Sequence, residues 1–163
     1  MLRWTLVVSV ALVVQIGLAT QIRVHGVHPD LLLLVTICAG IAGGPGTGAG
    51  VGFACGLLFD LFLPGRLGVT ALSYLLVGYA SGIAGGSIAR PNRWTTGGIV
   101  VVASCAGTLL YATIGQLRGQ RSLSDPNLAA IVGIVAAFNA VLAVPVLAVC
   151  RWAEPEHVQI RMR

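Results

Sequence analysis

Few side chains in this sequence have the chemistry to act on a substrate, and their spacing does not bring them together. Cys38, Cys55, Cys105 and Cys150 all fall within or at the end of apolar runs. None forms a C-x-x-C pair and none has a histidine at ligand spacing, so they read as small apolar fillers. His25 and His28 share a loop, and two histidines alone are fewer ligands than a metal requires. Gln15, Asn139, Tyr74, Tyr79 and Tyr111 are scattered through apolar segments. There is no Ser-His-Asp or Cys-His arrangement, no H-E-x-x-H and no phosphate loop. No catalytic, cofactor-binding or metal-binding residue is assigned, and the sequence does not read as an enzyme.

Asp60 stands apart as the one acid within an apolar segment. A charge at the bilayer centre costs ~2.5 kcal/mol or more. Asp60 lies three residues before Leu63, close to the end of its segment, which places it near an interface. The spacing predicts a structural ion pair or a helix-end hydrogen bond, with Arg66 or Arg23 as candidate donors. A proton or solute site and a partner contact are the alternatives.

The elements that must position these residues are membrane helices. Charged residues make up 9% of the 163-residue chain and hydrophobic residues 56%, with a mean hydropathy of +0.92. A soluble domain carries about 25% charged residues, so the bilayer is the solvent this composition fits. A span needs roughly 20 apolar residues, and the runs fall at 4–22, 29–43, 47–63, 68–89, 97–117 and 128–150. The fold class expected is all-α: one compact bundle of about six transmembrane helices over residues 1–163, with short connections and no soluble domain. The run 29–43 is too short, at ~1.5 Å per residue, to cross a ~30 Å hydrocarbon core unaided. A re-entrant hairpin with its neighbour is the alternative there. Pro29 and Asp30 suit the start of that helix. The N-terminal run exceeds a signal-peptide h-region and lacks an A-x-A-like site, so it reads as a retained helix that also directs insertion.

All ten basic residues are arginines. With six spans, Arg3, Arg90, Arg93, Arg151, Arg161 and Arg163 share one side, and Arg23, Arg66, Arg118 and Arg121 the other. Six against four puts both termini in the cytoplasm by the positive-inside rule. The pI near 9.6 has the same origin, and no aromatic-basic pattern accompanies it to suggest nucleic acid.

Glycine dominates the remaining pattern, with 22 residues. Gly40, Gly44, Gly48, Gly52 and Gly56 recur every four residues, Asp60 continues the series, and Pro45 interrupts it. Gly78, Gly82 and Gly86 repeat the spacing in the next span, and Ala103, Gly107 and Gly115 lie at matching positions in the fifth. Helices in lipid associate through close packing of small-residue faces. The ridges Gly48/Gly52/Gly56 and Gly78/Gly82/Gly86 therefore predict close helix packing, within the bundle or against a partner helix.

The segment His28-Pro29-Asp30-Leu31-Leu32-Leu33-Leu34, the run Gly52-Phe53-Ala54-Cys55-Gly56-Leu57-Leu58-Phe59-Asp60-Leu61, and the helix start Gly68-Val69-Thr70-Ala71-Leu72 together resemble the bacterial rod shape-determining protein family MreD. The resemblance is closest over residues 28–90, and elsewhere rests on hydropathy. It implies a non-enzymatic inner-membrane component of the cell-elongation and peptidoglycan-synthesis machinery, in contact with membrane lipid. It also implies an MreC-like single-span partner, acting with the MreB filament and the RodA/penicillin-binding-protein synthase. The six-helix fold it implies is similar to the S components of energy-coupling factor transporters. The alternative function is thus a substrate-binding subunit for vitamin or metal uptake, which would need several convergent polar groups in a cavity.

Overall fold

The computed structural model describes residues 2–21, 30–62, 68–87, 93–117 and 128–154. Every element among them is helical: α1 (Leu2–Gln21), α2 (Leu31–Phe62), α3 (Val69–Gly86), α4 (Arg93–Leu117) and α5 (Leu128–Ala153). A helix satisfies its own backbone, which hydrocarbon cannot do. α3 and the stretches Trp94–Ile114 of α4 and Ile131–Ala153 of α5 are long and apolar enough to cross a membrane, as is α2 when its 32 residues are taken end to end. α1 has a shorter apolar stretch, Leu2–Gly17.

α2 is organised differently from the two separate runs expected at 29–43 and 47–63. Both runs belong to one 32-residue element, broken at Gly44 with φ 84° and ψ −177°. That backbone conformation is essentially reserved for glycine. Pro45 follows as the first residue of the second limb, where a fixed φ and a missing N–H are well suited. The two limbs fold back on one another. A Cβ on Gly48 would lie 2.7 Å from Gly40 Cα, and one on Gly52 would lie 2.7 Å from Thr36 Cγ2. Residues eight apart in an unbroken helix are separated by ~12 Å along the axis. Residues 31–43 and 45–62 are accordingly two antiparallel limbs.

α3 lies along both limbs, with Gly82 against Gly44 and Pro45, Gly78 against Gly48, and Ala71 against Gly56. α5 runs beside the first limb, where the Cys38 thiol lies 3.9 Å from the Ala143 carbonyl and the Cys150 thiol 3.9 Å from the Val35 carbonyl. α4 closes the outer side, with Gly107 facing Leu33 and Val77. The first limb of α2 forms the centre: Leu32, Leu33, Leu34, Ile37 and Cys38 are fully buried. Arg3, Trp4, Trp152, Glu154 and the Gly44 turn share one end of the bundle. Gln15, Asp30, Asp60 and Gly68 share the other.

Candidate functional site

The α2–α3 seam is built from backbone. On Gly40, Gly48, Gly52, Gly56, Gly78 or Gly82 a Cβ would overlap atoms of an adjacent limb or helix, mostly main-chain atoms. The glycines carry no side chain, so the helices approach almost to the distance their backbones allow, which is how small residues drive association in lipid. Of the two ridges read in the sequence, Gly48, Gly52, Gly56, Gly78 and Gly82 lie in this seam, whereas Gly86 faces open space. Gly40 belongs to the seam as well.

Acids stand at the starts of the helices that meet here. Asp60 is 1% exposed, and its Oδ2 accepts hydrogen bonds from the Gly68 and Ala71 amides at 2.8 and 3.3 Å. α3 opens on Gly68, with φ 89° and no side-chain cap of its own. The carboxylate comes from the end of α2 to satisfy orphan amides and to meet the positive end of the α3 dipole. This is a helix-end hydrogen bond; Arg23, Arg66 and the His25/His28 pair lie outside the described residues. The second oxygen of Asp60 and the Thr70 hydroxyl are buried without partners.

Asp30 caps α2 in the ordinary way. Its Oδ1 accepts from the Leu33 amide at 3.0 Å, and its Oδ2 accepts from the Tyr74 hydroxyl of α3. The Leu31 amide donates to Gln15 Oε1 of α1 at 2.8 Å. One helix start thereby ties three helices together. At the opposite end, Glu154 sits against Gly43 and accepts from the Thr47 hydroxyl and the Trp4 indole N–H. It thus faces the start of the second limb. Burial lifts the Glu154 carboxyl above its usual range, against the opposing pull of those two hydrogen bonds. Beside it, the Arg3 guanidinium donates to the Trp152 carbonyl at 3.2 Å and lies 5.2 Å from that indole's centroid.

Three of the chain's five acids are therefore engaged at helix starts. The Asp30–Tyr74 pair, Gln15 and Glu154 make interhelical contacts that sequence reasoning did not join. Gln15 carried a signal as a polar residue inside an apolar run, and Glu154 carried none. Between α4 and α5, the Asn139 amide donates to the Ser104 hydroxyl at 2.9 Å. Among the described residues no group of three His, Cys, Asp or Glu could hold a metal ion. Among the described residues the arrangement fixes helices relative to one another.

No curated protein and no solved structure matches the chain. The family model described as rod shape-determining protein MreD matches residues 1–151. With apolar helices that suit a membrane and a match that spans nearly the whole sequence, the chain belongs to the MreD family.

Proposed function

We propose that this chain is a non-enzymatic scaffold of the bacterial cell-elongation machinery, crossing the inner membrane six times and binding an MreC-like single-span protein. Its family is a rod shape-determining one, and apolar helices support a membrane location. The observation that carries the scaffold reading is the use made of its polar groups. Asp30, Asp60 and Glu154 hold helix starts and link α1, α2, α3 and α5. A membrane protein that transports or catalyses keeps its intramembrane acids on a pathway or in a site. Six crossings follow if each limb of α2 is counted as a pass. The fold-back at Gly44 and the contacts of Arg3 with Trp152 support that count, since they bring both termini to one end. The arginine excess at that end favours the cytoplasm.

Two measurements test this reading. Single cysteines replace Ser124 and Asn92 in a background lacking the four native thiols. An impermeant thiol reagent is expected to label position 124 from outside and spare position 92; the reverse pattern contradicts the orientation. Purification from native membranes in mild detergent is expected to retain an MreC-like protein. Retention of a pair of ATPases instead would favour uptake of a solute.

A further inference from the structure

The first limb of α2 and α5 each set a cysteine against the other. The Cys38 thiol points at the Ala143 carbonyl of α5, and the Cys150 thiol points at the Val35 carbonyl of α2, both at 3.9 Å. Val35 and Cys38 are three residues apart and share one face of their helix, so the two side chains reach past one another. Where they cross, the thiols meet and share a hydrogen bond. Both residues are fully buried and neither is in a disulfide. Cys55 engages the Thr36 side chain instead.

The surroundings decide what such a pair can do. Leu34, Ile37, Ala143 and Leu147 belong to the same buried apolar cluster as both cysteines. A soft monovalent cation held by two thiolates would leave a net negative charge in that cluster, at a high desolvation cost. Among the described residues no third His, Cys, Asp or Glu is placed to complete a metal site. A disulfide, by contrast, is neutral and apolar. Packing has already brought the sulfurs into hydrogen-bonding contact, and closing the bond requires a further approach to ~2.05 Å. Burial shields thiols from most reagents, which confines the reaction to a small, uncharged electrophile able to enter the bundle.

We propose that Cys38 and Cys150 form a redox-sensitive tie, which a hypohalous acid such as hypochlorous acid closes into a disulfide that locks α5 to the central limb of α2. One sulfur first attacks chlorine. An S–Cl bond forms, the Cl–O bond breaks, and the thiol proton leaves with the hydroxide as water. The second sulfur then attacks the first: the S–S bond forms, the S–Cl bond breaks, and chloride departs together with the second thiol proton. The two sulfurs lose two electrons in all, and chlorine gains them. Residues 39–149 fall inside the closed loop, so the bond fastens the α4–α5 layer to the core.

The test treats membranes carrying the full-length protein with a slight molar excess of hypochlorous acid. The protein is then denatured in dodecyl sulfate, remaining thiols are alkylated with N-ethylmaleimide, and peptides are mapped by mass spectrometry. The expected result is an intramolecular cross-link between positions 38 and 150 that dithiothreitol releases. In mild detergent the oxidised protein is expected to unfold at a higher temperature than the reduced protein. That shift should vanish in Cys38→Ala and in Cys150→Ala; either variant suffices should the other not accumulate. Four alkylated thiols after the oxidant is consumed, or a cross-link through Cys55 or Cys105 instead, overturns the proposal. Oxidation of Cys38 or Cys150 to sulfinic or sulfonic acid in place of the bond overturns it as well. So does an unchanged unfolding temperature once the cross-link has formed.

Discussion

The α2–α3 unit and the α4–α5 layer are made of similar apolar residues but packed by different rules. In α2 and α3, 61% and 50% of the apolar window is buried, against 22% and 28% in α4 and α5. In the first region glycines bring backbone to backbone, and carboxylates hold the helix starts. In the second, the Asn139 amide links α5 to the Ser104 hydroxyl of α4, and a groove stays open where α4 meets α3. Lipid tails give no hydrophobic reward for helix association, because they are as apolar as leucine. What distinguishes the regions is thus closeness of approach, not greasiness.

That contrast can be broken where it is strongest. Gly48→Leu places a branched side chain against the Gly78 carbonyl and Gly40 Cα. Overpacking a tight contact costs ~1–3 kcal/mol, occasionally more, and rigid backbone on both sides puts this variant at the upper end. Unfolding in mixed detergent micelles is expected to show that loss; wild-type stability would remove Gly48 from the seam. Gly44→Ala comes next. Its φ of 84° with an extended ψ costs a side-chain-bearing residue ~1–3 kcal/mol, and the neighbouring space is open, so backbone strain alone should appear. An unchanged midpoint would mean that the limbs turn without that conformation.

The outer layer should respond less. Asn139→Leu removes the hydrogen bond to Ser104; such interhelical bonds in membranes average ~0.6 kcal/mol and reach ~1.7. A loss above that ceiling would show that α4 and α5 are held as tightly as the core. Gly133→Ala is the smallest change, since a Cβ there meets nothing within 4 Å. It is expected to leave the unfolding midpoint within ~0.5 kcal/mol of wild type, or to raise it slightly through helix propensity.

Much of the core was legible because its signals are periodic. The four-residue glycine spacing marks the seam faces on both α2 and α3, and the Gly44-Pro45 step marks the turn. Asp60 was legible as an acid near a helix end. The identity of its donors was not, because the α3 start that needs it lies eight residues on and the match depends on how the chain turns between them. Glu154 was illegible for the same reason on a larger scale: Thr47 and Trp4 reach it from distant positions in the chain, and no local pattern encodes that meeting. Gly86 shows the converse failure. It continues the spacing of Gly78 and Gly82, but the Gly44 turn marks where the limbs end, and no neighbour remains to pack against.

The central claim is that the described acids hold the fold, and Asp60 tests it most directly. Asp60→Asn keeps an acceptor for the Gly68 and Ala71 amides and loses only charge, at ~0.3–1 kcal/mol for a helix-end interaction. Asp60→Leu strands both amides at ~1–3 kcal/mol each. Expression-matched variants in a depletion strain are scored for cell shape: the Asn variant is expected to restore rods and the Leu variant to fail. Equal and complete loss with both variants, at normal membrane levels, would show that the negative charge itself is needed and would contradict the account.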